Sequence, residues 1–504
     1  MSDLYKKLMD EQINTDDVIT VILKLKEQFG NPSDLNIRNF KVQDIEILVV
    51  SLKGITDENS ISQFIIKPLS ETSTFSSLES VSKKSLAVSD IENTLVNLNE
   101  VKRISSWGEL CAEVLNGNTA IIIESFHKVL IAGTKKEESR AITESSTETV
   151  IRGPKDSFNE NLITNLSLIR NRIKNSQLRI NTLVIGDVTK TDVSIVYIEG
   201  IAEERIVQEL TKRLQAFKID GILESGYIES FIQDHPYSPF PTVMNTERPD
   251  VVCGNLLEGR VSVFVSGTPF ALIIPVTLMQ FFQSPEDYYQ RFDIGSFLRI
   301  LRIAAFFVSL LAPAVYISLT VHHQGMIPTF LAFSIAGQRE NVPFPTIVEV
   351  LIMEIAFEFL REAGIRMPRG IGSAASIVGA LILGQAAVQA GIVSAATIIV
   401  VSTTAISSLT LPTYNIAITS RLLRFIFIFL AGVYGLYGII VGLLIMGLHL
   451  SKLHSFGVPY LTPLAPLIVR EQEDTFLRMP FQFMKKRPVT AKRTNRKRFS
   501  KGES

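Results

Sequence analysis

The chain has 504 residues, with 50 basic and 50 acidic side chains cancelling to a formal charge of zero. A nucleic-acid binder would carry a basic excess, so that class is set aside. Two cysteines, Cys111 and Cys253, lie far apart and outside any CxxC, which gives neither a disulfide framework nor a zinc site.

In chain order, residues 1–35 read as a polar, helical or loosely ordered lead-in, and the opening MSDLYKKLMDEQINTDD is too charged for a signal peptide. Ile45–Leu69 predicts a strand followed by a helix; Ser70–Ser89, rich in Ser, Thr and Lys, predicts a flexible surface stretch, and Ile91–Val101 a helix. Thr119–Thr134 has two apolar runs around Glu124–Lys128, a hairpin pattern. Ser194–Leu210 repeats the first unit: setting Gly200 on Gly54 aligns Ile201 with Ile55 and Glu204 with Glu58. Each glycine sits where a strand must turn into a helix, a place that uses its backbone freedom. The repeat predicts two related α/β subdomains, over 36–120 and 121–260.

Within the second, Arg152-Gly153-Pro154 breaks the chain, and Asn161–Lys174 predicts a helix packed through Leu162, Leu166 and Ile169. Arg170 and Arg172 suit its C-terminal end and are expected to stay available for a neighbouring subunit or an acidic partner. Val261–Phe282 is apolar but interrupted by Gly267, Pro269 and Pro275; inside a connector, 261–298, it reads as strands or an interfacial segment in preference to a poor, sixth span.

From 299 to 455 the composition becomes that of a helical membrane domain. A hydrocarbon core of ~30 Å takes about 20 apolar residues, and Ile300–Val321 and Leu423–Leu450 both reach that length. Gly372, Ser376, Ala380 and Gly384 recur every four positions, with Gly379 and Gly391 on the adjacent row. Gly435, Gly438 and Gly442 mark a similar face in the last helix, and small residues let helix backbones approach in lipid. Ala395–Leu411 is a Ser/Thr-rich span.

Thr346–Ala363 differs. Glu354, Glu358, Arg361 and Glu362 fall within about 100° of one another on a helix, and Glu349 falls on the far side. Such a stripe is costly in lipid and must face protein, water or the interface. Either the helix walls an aqueous path, or it lies flat in the headgroups. In the first case Glu354 and Glu358 face water, Arg361 pairs with one of them, and Ile347, Val350 and Leu351 form an apolar gate.

Five candidate spans are an odd number; four or six would put both ends of the chain on one side. Arg366, Arg369, Arg421 and Arg424 read as cytoplasmic ends, and Lys485, Arg487 and Arg496 belong to a basic tail in 456–504 that favours the same side and anionic lipid.

The motifs IRGPKDSFNENLITNLSLIRNRIK, NTERPD, LLEGR, SGTPF, SPEDYY, NVPFPTIVE, FLREAGIRMPR and IGSAASIVGALILGQAAVQAGIVSA, taken in order, resemble the A subunit of GerA-type spore germinant receptors from about Ile45 to Pro466. Ser266 departs from the pattern, where an acidic residue is expected before Gly267. The resemblance implies a multi-pass protein of the spore inner membrane, with its soluble front and its tail in the cytoplasm. It implies a transporter-like B subunit and a lipoprotein C subunit as partners. It also implies a homo-oligomer, a pentamer being the expected size, that forms a nutrient-gated cation channel without a cofactor.

No GxxxxGK[ST], HExxH or GxSxG supports an enzyme. A solute transporter and a non-conducting scaffold remain the alternatives.

Overall fold

The computed structural model describes residues 11–42, 45–71, 101–124, 126, 128–136, 148–367, 379 and 382–488. The stretch expected to be flexible at 70–89, apart from 70 and 71, the helix expected at 91–101, apart from Val101, which begins a strand, and Gly372, Ser376, Ala380, Arg369 and Arg496 lie outside these residues.

Helix α1, Val18–Phe29, starts on the Asp17 side chain and ends at Gly30, whose φ of 70° closes the last turn. Strands β1 (Leu35–Val42), β2 (Ile45–Leu52), β3 (Val101–Ile104), β4 (Thr119–Ile123) and β5 (Val129–Ala132) form an antiparallel sheet of order β1-β2-β4-β5-β3. Its apolar residues alternate faces. Leu48, Val50, Ala120 and Ile122 pack under α1 and Trp107–Leu115, while Ile47, Val49, Ile121 and Ile123 meet Ile61, Ile65 and Leu69 on the other side.

Helix α2, Leu162–Arg172, leads into β6 (Leu178–Ile185), β7 (Thr191–Ile198), β8 (Met244–Thr246), β9 (Val261–Val265) and β10 (Ala271–Ile274). These pair antiparallel in the order β6-β7-β9-β10-β8, the same arrangement as the first sheet. Gly54 (φ 87°) and Gly200 (φ 78°) follow β2 and β7 at equivalent corners. The subdomain limits drawn from sequence therefore need moving. Residue 120 cuts the β4–β5 hairpin, 260 removes β9 and β10 from the second sheet, and α1 is core rather than lead-in. The 261–274 segment is strand because both its strands are wholly buried between covering helices.

Leu162, Leu166 and Ile169 enter the second core as expected. Arg170 is a correction: it is 1% exposed and its Nε and Nη2 donate to both Asp34 oxygens at 2.8 and 3.1 Å, joining the two subdomains. Arg172 pairs with Asp156 of its own subdomain. Both charges are already spent inside the chain.

The helical half contains α3 (Phe292–Ile317), α4 (Thr329–Arg339), α5 (Thr346–Arg366), α6 (Ala395–Leu409) and α7 (Tyr414–Lys452). Phe292–His322 and Tyr414–Lys452 are apolar and long enough to cross a bilayer. The second of these is not one rod. Gly435 has φ 62° and ψ −144°, a conformation close to glycine-only territory, and the helix folds back there. A Cβ on Gly438 would collide with the Leu430 carbonyl, and one on Gly442 would lie 2.8 Å from Phe427. In a straight helix Phe427 and residue 442 would be ~22 Å apart. Both ends of α7 consequently touch the soluble half: Thr419 donates to Pro239 O at 2.6 Å, and His449 meets Ser238 at 2.9 Å. The turn at Gly435 reaches His322 and His323 beyond α3. Gly435 is thus a turn residue, Gly438 and Gly442 line the seam between the two arms, and Gly391 (φ 65°) closes a helix end. Gly379 approaches Leu360, with 2.6 Å from an added Cβ, and Gly384 faces Ile398 at 3.6 Å.

Candidate functional site

The charge-bearing helix α5 lies upright in the bundle. Ile347 packs onto Gly432 near the remote turn, whereas Arg361 meets Ser408 at 2.9 Å near the soluble side. Of its acids, Glu349 and Glu354 are buried, Glu358 is half-buried and Glu362 is exposed in a pair with Arg366. Glu354 is 2% exposed and accepts from Arg424 Nη1 at 2.6 Å, and Arg424 Nε donates to Ser309 O, also at 2.6 Å. Glu358, half-buried, accepts from Arg421 at 3.0 Å and has Arg361 at 4.0 Å. The expected pairing of Arg361 is met through Glu358. The water-facing Glu354 is not, because a carboxylate among apolar helices needs a cation and Arg424 supplies it.

Arg421 and Arg424 therefore point into the bundle. The missed signal was complementary spacing: two acids four apart on one apolar helix and two arginines three apart on another both stay on one face.

Three guanidiniums face two carboxylates in this cluster, so its net charge is positive, which a bare acidic ring would not be. Glu354 Oε1 and Arg424 Nη2 are buried without a hydrogen-bond partner among the described residues. Such atoms favour water or an exchange of partners. Arg424 sits ten residues from Tyr414 and eleven from Gly435, or roughly 15 Å of helix on either side. The cluster is at mid-height in the bundle.

Val350 is fully buried, and Ile347 and Leu351 are packed against the same core, so the three apolar residues of the expected gate contact other helices of this chain. On the opposite face Ile352, Ile355 and Phe359 are exposed. Glu349, read as the far side, is fully buried, held by Arg339 at 3.2 Å, Ser394 N at 3.0 Å and Thr397 at 3.1 Å; it ties α5 to the start of α6.

A second feature lies where the soluble and helical halves meet. At the foot of α3, Arg299 and Arg302 converge on the buried Asp287, and Arg299 also donates to Asp474 at 3.0 Å. Beside it is a cavity of about 720 Å³ whose wall includes Glu148, Arg248, Asp250, Tyr289, Arg302 and Leu411. Burial pushes the Glu148 carboxyl up to about 7, against the lowering effect of its hydrogen bond from Thr246. Among the described residues no group of three or more His, Cys, Asp or Glu is arranged to hold a metal.

The family model described as Bacillus/Clostridium GerA spore germination protein matches residues 23–490. Spore germination protein KA of Bacillus subtilis (strain 168) is 48% identical over 96% of this chain and 88% of its own length. The uncharacterised membrane protein YfkQ of the same organism is 46% identical over 82% of this chain and 80% of its own. The crystal structure of the N-terminal domain of the A subunit of the Bacillus megaterium spore germinant receptor GerK3 is 36% identical, covering 52% of this chain and 96% of that one, with a TM-score of 0.40.

Proposed function

The chain belongs to the GerA family of spore germination proteins, and from that premise we propose that it is the A subunit of a nutrient germinant receptor. In this reading it works in the spore inner membrane with a transporter-like B subunit and a lipoprotein C subunit. It oligomerises, a pentamer being the implied size, into a nutrient-gated cation channel.

The observation that carries the channel reading is the ion-paired cluster at mid-height on α5 and α7. An intramembrane charge is retained where it serves a pathway or a switch. Glu354 and Glu358 are neutralised by Arg424 and Arg421 in this arrangement. Repeated around an oligomer, release of the arginines would convert paired rings into acidic ones, which select cations. The fold-back at Gly435 supports an even number of crossings, because it gives the last apolar segment two arms in place of one and so turns the five spans expected from sequence into six. Both ends of the chain then share the cytoplasmic side.

The test is reconstitution of the purified chain in K⁺-loaded vesicles. Cation conductance that loses selectivity in Glu354→Gln/Glu358→Gln supports the channel. Saturable solute uptake without conductance would indicate a transporter, and neither would leave a scaffold.

A further inference from the structure

A histidine pair links the two halves of the molecule. His235, in the loop after Ser225–Ile232, places Nε2 3.2 Å from Nδ1 of His454, just past the end of α7, with the rings edge to face at 4.6 Å. His454 Nδ1 also lies 3.1 Å from Lys452 O. A carbonyl only accepts, so the proton belongs on His454 Nδ1, and His235 Nε2 must be the neutral acceptor. His449 meets Ser238 from the second arm of α7.

The other charged groups around the pair are committed. Asp234 accepts from Arg213 at 2.7 Å and from Phe456 N at 2.6 Å, Arg213 stacks over Phe456, and Arg205 donates to Phe456 O at 3.2 Å. Lys452 contributes its own positive charge to the same turn. No carboxylate is thus left over to stabilise an imidazolium at His235 through a direct hydrogen bond among these contacts.

We propose that His235 and His454 form a pH-sensitive latch between the soluble domain and the end of the α7 hairpin, closed when His235 is neutral and released when it is protonated. Protonation turns the Nε2 acceptor into a donor facing another donor and adds a positive charge to a turn that already carries Lys452. Burial and the neighbouring histidines already hold the His235 pKa below its ordinary value of 6.5, which outweighs Asp234. The docked state therefore binds the proton less readily than the released state, so docking is intact above 6.5 and lost as the pH falls below it. The latch stands independently of the channel reading.

Hydrogen exchange of the full-length chain in lipid nanodiscs at pH 7.5 and 5.5, corrected for intrinsic rate, tests it. Protection of the amides of 453–458 and 460 should fall severalfold at pH 5.5, while that of β6 and β7 holds. His235→Gln, which can still accept but does not titrate, should show equal protection at the two values. Unchanged protection in the unaltered chain, or the same pH response in His235→Gln, would overturn the proposal.

Discussion

Asp34 and Arg170 form a two-bond ion pair across the seam between the two subdomains, with the aspartate 7% and the arginine 1% exposed. Ser33 reinforces the seam by pairing with Ile180 O and Thr182 N at the edge of the second sheet. Removing one partner of a buried pair leaves a charge that neither water nor protein satisfies, which typically costs about 3–5 kcal/mol. Arg170→Ala should lower the thermal unfolding midpoint of the chain strongly, and Asp34→Asn/Arg170→Met should recover much of the loss. Equal midpoints for Arg170→Ala and the unaltered chain would remove this seam from the account of stability.

The same two residues show what sequence can carry. Periodicity and the Gly54/Gly200 correspondence made the repeat legible, because a turn at positive φ constrains the residue locally. Arg170 was legible only as a cation on a helix end; its partner is 136 positions away, and no local pattern encodes that. The α7 hairpin was hidden for a similar reason. Gly435 stands among Gly432, Gly438 and Gly442, and composition alone does not distinguish a fold-back glycine from packing glycines. The stripe on α5 was readable from spacing, but whether its acids meet water or arginine is decided by a second helix.

For the mid-bundle cluster, single substitutions should hurt more than the matched double. Glu354→Gln strands Arg424, and Arg424→Gln strands Glu354, each at a cost on the order of 3–5 kcal/mol in a buried setting. Glu354→Gln/Arg424→Gln should restore receptor abundance in the membrane fraction beyond either single. Additive losses in such a double-mutant cycle would show that the two side chains do not interact.

Glu148 gives a pH prediction with a definite sign. Its pKa is raised from 4.5 to about 7 chiefly by burial, so the folded chain holds this proton where the unfolded chain has released it. The favourable contribution is full below 4.5 and disappears as the pH rises through 7. Glu148→Gln should therefore raise the unfolding midpoint at pH 8, by the equivalent of roughly 3 kcal/mol, and change it little at pH 4. A shift of equal size at both values would mean that the effect is not one of ionisation.

The fold-back at Gly435 predicts how the last hydrophobic segment crosses the membrane. The arms 414–434 and 436–452 measure roughly 32 and 25 Å, the first enough to span a hydrocarbon core and the second nearly so. Tyr434 and Tyr437 flank the turn with exposed rings, the placement favoured at a membrane–water boundary. Position 437 should therefore be reached from the face opposite the soluble domain, and position 451 from the same face as that domain. Cysteine substitutions at Tyr437 and Ser451, treated in sealed vesicles with a membrane-impermeant maleimide, test this directly. The native thiols should not interfere, because burial pushes Cys111 up to about 11 and Cys253 up to about 12, leaving little reactive thiolate at neutral pH. Gly435→Leu should abolish the pattern, since a leucine there must adopt a strained backbone and its Cβ would lie 2.7 Å from His323. Labelling of positions 437 and 451 from a single face of the membrane would exclude a spanning hairpin.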